Sequence, residues 1–219
     1  MSDSSLSSRR RCAVWIDFGG VLTGPAHETL TAFCTAVEVS AEQLVGAIAV
    51  VARSYGTDDP MEPLDTPLVD AETWTGEVEQ ALRDRFEIEA DLSDFATKWF
   101  SGRPPNQPLI DHLGTLRARG HFIGMLSNMV PAFEPHWPRI ANPNLFDDLV
   151  FSYKVGARKP QRAIYDIATA RAGVAARHCI LVDDLPANCE GARKAGWRAV
   201  QHVPDGDTVA ALESLLAVG

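Results

Sequence analysis

The sequence predicts an α/β protein: a parallel β-sheet flanked by helices, with an all-helical segment inserted after the first strand. Three observations lead there. Three short apolar runs without alternation (Cys12–Ile16, His121–Leu126 and Cys179–Val182) each stop at polar residues, the pattern of strands buried on both faces. From residue 108 onward such runs alternate with helical stretches, which makes βα units and hence a parallel sheet. Over residues 25–100 the β-like runs vanish and helical periodicity takes over.

Residues 1–10 are rich in Ser and Arg and are expected to form a disordered tail; the apolar run behind them is too short for a signal peptide. Cys12-Ala-Val-Trp-Ile16 is the first strand. The insert follows, with Leu30, Phe33, Cys34 and Val37 at helical spacing. Ser40 and Gln43 form a capping box ahead of Leu44, Ala47, Ile48 and Val51. Thr57–Asp70 carries Pro60, Pro63 and Pro67 and reads as a loop. Trp74, Val78 and Ala81, then Phe95, Ala96 and Trp99, mark two more helices. Arg103-Pro104-Pro105 is the return linker. Beyond it, Leu109, Leu113 and Leu116 share one face of a helix over Pro108–Arg119 that stops at Gly120. Leu149–Phe151 and Trp197–Val200 are further strands. Gln161–Arg171 and Ala187–Lys194 are helices, and Asp207 caps a last one bearing Val209, Leu212, Leu215 and Leu216. The expected organisation is a core from 11–24 and 101–219, with a helical cap from 25–100.

At 219 residues the chain has room for about one and a half domains. Apolar residues make up 46% and charged residues 22%, which excludes long-range disorder. The net charge of −9 is concentrated: residues 57–94 hold thirteen acids against two bases. Such a surface repels nucleic acid and anionic membranes, so neither is an expected partner. The four cysteines show no CxxC and no metal-ligand spacing, which points to reduced thiols and a cytoplasmic setting. No run approaches the ~18 apolar residues of a membrane span.

The polar residues that end the strands are the candidates for chemistry, because ligands of open parallel sheets bind beyond the carboxyl ends of the strands. Asp17 ends the first run ahead of Gly19-Gly20; alone it reads equally as the start of a turn. Asp183-Asp184 ends another. Paired carboxylates at one site repel unless a cation lies between them, and oxygen-only ligands suit Mg²⁺; alone the pair also reads as a capping turn. Ser127-Asn128 offers a hydroxyl and an amide, as an anion ligand or as a cap at a helix start. Lys159-Pro160 opens a helix; its lysine is either a solvated surface charge or the fixed cation that balances the carboxylates.

Together, Asp17-Phe-Gly-Gly-Val-Leu, Ser127-Asn128, Lys159-Pro160 and Val182-Asp183-Asp184 resemble, in order and spacing, the four motifs of the haloacid dehalogenase-like (HAD) hydrolase superfamily. Asn188, Ala192 and Gly196 follow as in that family, and the likeness covers about residues 12–216. The phrase Phe151–Pro160 is similar to the capped branch that includes small-molecule phosphatases and the amino-terminal domains of epoxide hydrolases. The resemblance implies a Rossmann-like parallel sheet core with a small helical cap inserted after the first strand. It implies Mg²⁺-dependent hydrolysis of a small phosphorylated substrate through an aspartyl-phosphate on Asp17. It makes Asp17, the Gly19 carbonyl, Asp183 and Asp184 the metal site. It makes Ser127, Asn128 and Gly20 the phosphoryl contacts and Lys159 the stabilising cation.

The sequence departs from the family pattern at Gly19, where most phosphatases of the family carry an acid–base Asp. Three readings follow. A phosphatase could draw its acid from water, from the substrate or from a cap residue such as His27. A 2-haloacid dehalogenase needs no second Asp, but Asp183-Asp184 is the metal-binding form of the fourth motif. A non-catalytic binding domain would have kept the fold alone, although every metal and phosphoryl position is filled. Response-regulator receivers place the acidic pair first and the phosphoacceptor later, the reverse of the order here. Substrate choice is expected in the cap, with His27, Arg53, Tyr55 and Trp74 as candidates.

Overall fold

The computed structural model describes residues 12–218, so the expected amino-terminal tail lies outside the described residues. Five strands form one sheet: β1 (Ala13–Ile16), β2 (Phe122–Ser127), β3 (Asp148–Phe151), β4 (Cys179–Asp183) and β5 (Arg198–Gln201). Their order is β3-β2-β1-β4-β5 and every pairing is parallel. The α/β class predicted from the apolar runs is the class observed.

Alternation along β1 divides the core between the two faces of the sheet. Val14 and Ile16 point to one face and pack with Leu109, Leu113 and Leu116 of α6 (Gln107–Ala118). Leu212 of the last helix (Thr208–Val218) closes the same layer. Ala13 and Trp15 point to the other face, against Ile164, Tyr165 and Ala168 of α8 (Arg162–Ala172) and Ala192 of α9 (Pro186–Lys194). Each fully buried Val, Leu or Ile among them contributes roughly 1.5–3 kcal/mol. The last helix, α10, begins where Asp207 accepts from the Ala210 amide at 2.8 Å, as its capping position predicts.

Residues 26–100 form α1 (Ala26–Ala36), α2 (Ala41–Ser54), α3 (Glu62–Asp65), α4 (Ala71–Phe86) and α5 (Phe95–Phe100). They enclose a hydrophobic cluster of their own, including Phe33, Leu44, Leu64, Trp74, Val78 and Phe95, which reaches Val130 beyond β2. The Ser40 capping box is formed in both directions, at 3.1 and 3.2 Å. Two expectations need correction. Thr57–Asp70 is not all loop: it contains α3, whose first turn accepts Pro63 because the missing N–H falls where no helical bond is made. The helix expected after Ser127-Asn128 is instead three single 3₁₀ turns between Pro131 and Leu145. Pro131, Pro135, Pro138 and Pro143 each remove a donor and prevent a longer helix. A short α7 (Ser152–Val155) follows β3.

The chain leaves and re-enters the sheet side by side. Gly24 N–H donates to the Pro104 carbonyl at 3.3 Å, and Asn106 bonds back to the Leu22 and Val21 carbonyls at 2.8 and 2.9 Å. No single helix among the described residues is long and apolar enough to cross a membrane.

Candidate active site

Because β1 is central and β2 and β4 flank it in parallel, Asp17, Ser127 and Asp183-Asp184 meet at the carboxyl ends of the strands. Asp17 follows β1 and is fixed there by its amide, which donates to the Val182 carbonyl at 2.9 Å. The turn behind it needs glycine at position 20. Gly20 has φ +77°, and a Cβ there would lie 2.4 Å from Asp184 Oδ2. Its amide donates to Thr23 Oγ1 at 3.0 Å, so Gly20 enters the site chiefly through its missing side chain.

Lys159 is the hub. Its side chain is buried, with Nζ 2.7 Å from Asp17 Oδ1 and 2.5 Å from Asp183 Oδ2. Asn128 holds the lysine backbone in place: its amide donates to the Lys159 carbonyl at 2.9 Å and its Oδ1 accepts from the Lys159 amide at 2.8 Å. The Asn128 side chain is thereby committed, which leaves its backbone for a ligand. Asp183 is also anchored, since Oδ1 accepts from Leu185 N–H and Asn188 Nδ2, each at 2.9 Å. Asp184 makes no ion pair among the described residues and faces the cavity.

The electrostatics follow from burial and charge. Burial opposes a charged Lys159, but the Asp17 and Asp183 carboxylates outweigh it and hold the ammonium above its ordinary value. Burial pushes the Asp17 carboxyl up, and Lys159 beside it pulls against that shift. Burial, then the neighbouring Asp17 and Asp183, push Asp184 up to about 6. Oxygens of Asp17, Asp183 and Asp184 lie within 4.8 Å of one another. Three carboxylates held this close with one ammonium between two of them fit a hard divalent cation, which takes oxygen ligands and relieves the repulsion.

A cavity of about 380 Å³ opens over these groups. Asp17, Gly19, Ser127, Asn128, Lys159 and Asp184 line its floor. Its other wall comes from Asp59, Met61, Asp65, Trp99 and Arg103, with Arg158 between. None of the four cap candidates named from the sequence lines it. Trp74 is buried against Phe95, Tyr55 donates to Glu77, and His27 and Arg53 are exposed on helices. The charged wall residues carried no periodic signal: Arg103 sits in the proline linker, and Arg158 lies inside the phrase before Lys159.

The same architecture occurs in solved structures. A HAD family enzyme from Bacteroides thetaiotaomicron, in complex with magnesium and inorganic phosphate, is 18% identical, with 90% of this chain and 97% of that one covered at a TM-score of 0.66. A Porphyromonas gingivalis protein described as a predicted HAD-like family hydrolase is 21% identical, with 94% and 98% covered and a TM-score of 0.68. A dehalogenase is 20% identical, with 94% and 88% covered and a TM-score of 0.63. At these identities the likeness is one of fold. No curated protein matches the chain. The model of haloacid dehalogenase-like hydrolases matches residues 13–196, a span that contains all four motifs and every strand but β5, and the chain belongs to that family.

Proposed function

We propose that the protein hydrolyses the phosphate monoester of a small soluble metabolite, with Asp17 as nucleophile and Mg²⁺ as cofactor. The observation that carries the reading is the Lys159 bridge, which orients Asp17 and Asp183 beside an Asp184 that makes no ion pair among the described residues. The magnesium and phosphate bound by the Bacteroides enzyme support the choice of ion and ligand. Asp17, Asp184 and the Gly19 carbonyl would hold the ion, with Asp183 assisting through its hold on Lys159. When bound, Mg²⁺ offsets the repulsion between Asp17 and an anionic phosphoryl group.

An Asp17 oxygen attacks phosphorus and the ester oxygen departs, leaving an aspartyl-phosphate. Water then attacks phosphorus, which frees phosphate and restores the carboxylate. The Ser127 hydroxyl and Asn128 backbone bind phosphoryl oxygens, and Lys159 stabilises charge that grows on them. Gly19 supplies no acid, so esters of acidic leaving groups are the better substrates. Residues 25–100 serve as a cap over a core formed by 11–24 and 101–219. The four cysteines are buried and form no disulfide among the described residues, which favours a reducing, cytoplasmic setting.

The test is phosphate release from a broad panel of phosphate esters, with Mg²⁺ and with EDTA. Release should require Mg²⁺, and Asp17→Asn should lower kcat by about 10⁴-fold or more without loss of fold. Silence across the panel overturns the reading. Halide release from 2-haloacids would assign the Gly19 site to the dehalogenase chemistry that some structural neighbours carry.

A further inference from the structure

Three cations line the cavity: Arg103, Arg158 and Lys159. Lys159 is held by Asp17 and Asp183, and Arg158 by Asp59 and Asp65 at 2.7 and 2.8 Å. Arg103 has no carboxylate within ion-pair distance among the described residues. Its Nε is buried and has no hydrogen-bond partner. Its guanidinium is nonetheless fixed in place, with Cζ 5.6 Å from the Trp99 ring centroid and 5.9 Å from that of Phe100. Burial lowers it to about 10, a shift that Asp17 and Asp184 across the cavity oppose, so it remains charged at neutral pH.

A buried donor left without a partner costs stability and calls for a partner that the fold itself does not supply. A rigid guanidinium stacked on aromatic rings matches a carboxylate or a phosphate with two parallel hydrogen bonds. On the proposed reading the transferring phosphoryl group already meets Ser127, the Asn128 backbone, Lys159 and the metal. Arg103 lines the same cavity from the linker that returns from the cap, with its guanidinium by the Trp99 ring, and is not among these phosphoryl contacts. We infer that Arg103 receives a second anionic group, carried on the leaving-group half of the substrate, so that the substrate class is phosphate esters that also bear a carboxylate or a second phosphate. This rests on the phosphatase reading for the position of the first phosphate.

The binding test uses non-hydrolysable probes and so does not depend on turnover. Phosphonoacetate, 2-aminoethylphosphonate, methylenebisphosphonate and methylphosphonate are titrated by calorimetry into wild type, Arg103→Gln and Arg103→Lys, with Mg²⁺ present. Wild type should bind phosphonoacetate about 10- to 100-fold tighter than methylphosphonate, the worth of a charge-assisted pair. Arg103→Gln should erase that advantage while its methylphosphonate affinity stays unchanged, which also shows that the site is folded. Arg103→Lys, charged but without the fork, should recover part of it. The bisphosphonate arm reports whether a second phosphate serves as well as a carboxylate, and the amine should gain nothing. Equal losses on all probes would place Arg103 on the phosphoryl group itself and overturn the inference, as would wild type that shows no preference or binds none of them. Phosphonoacetate preference without release of phosphate from any ester would instead sink the phosphatase reading and leave the second-anion site standing.

Discussion

Gly19 is the residue at which the site departs from the family pattern, and its surroundings say what a substitution would do. A Cβ built there meets nothing within 4 Å, and the backbone lies outside the left-handed region, so the position accepts a Cβ without strain. A positioned general acid contributes about 10²–10⁴-fold. Gly19→Asp should therefore raise kcat toward that range for alkyl phosphates, whose leaving groups need protonation, and leave aryl phosphates nearly unchanged. The measurement is the dependence of kcat on leaving-group pKa, which should flatten in the variant; an unaltered slope would mean that another group already supplies the proton. The sequence made the floor of the site legible because Asp17, Ser127 and Asp183 each end an apolar run. Arg103 and Arg158 were not legible for the opposite reason. Their roles come from which carboxylates and rings the fold sets beside them, and no local pattern encodes that.

Elements with a strong period were legible in the same way, and those cut by proline were not. All five strands, the helix after Pro108 and the capped α2 follow from burial patterns that a short window contains. The segments 57–70 and 131–145 owe their turns to tertiary packing around prolines, which a window does not contain. Among the legible elements, α10 was placed by its cap and its leucines, but its attachment to α6 lies in charge. Glu213 on α10 pairs with Arg119 at the end of α6, with His112 Nε2 at 3.4 Å. Hydrogen bonds from Arg119, against an opposing burial effect and with the charge of Arg119 and the nearby histidines, hold the Glu213 carboxyl below its ordinary value. A lowered carboxyl stabilises the fold above the unfolded-chain value of about 4.3, and that contribution is lost as pH falls through the lower folded value. Glu213→Gln should thus cost up to about 1 kcal/mol at pH 7, as for a partly exposed pair. The gap to wild type should close in urea titrations run below about pH 4, and a gap that persists there would show that the side chain acts by packing.

At the scale of the molecule, the question is what holds the helical segment to the sheet. One attachment is the pair of chain segments where the chain leaves and returns, bonded through Gly24, Pro104 and Asn106. A second, besides the packing of Val130 and Phe133 against the helices, is Arg158. Its guanidinium meets Asp65 through Nε and Nη2 at 2.9 and 2.8 Å and Asp59 at 2.7 Å, while Ser152 Oγ donates to the Asp65 carbonyl at 2.7 Å. Arg158 and Asp65 are both buried, so removing one partner leaves an uncompensated charge, at a cost of about 3–5 kcal/mol. The helices have a hydrophobic cluster of their own, which Arg158 does not join. The cost of Arg158→Met should therefore fall on the docking of residues 57–70. Hydrogen exchange there should accelerate about 10²-fold or more, while β1 and β4 amides keep their rates. Arg158→Met combined with Asp65→Leu, which replaces the pair with apolar groups, should restore most of the protection. Equal acceleration in β1 would show that the helical segment and the sheet open as one unit. Confinement to 57–70 would mean that access to the cavity is governed by the residue directly before Lys159, so that the loop carrying Lys159 also sets how firmly the wall above it is held.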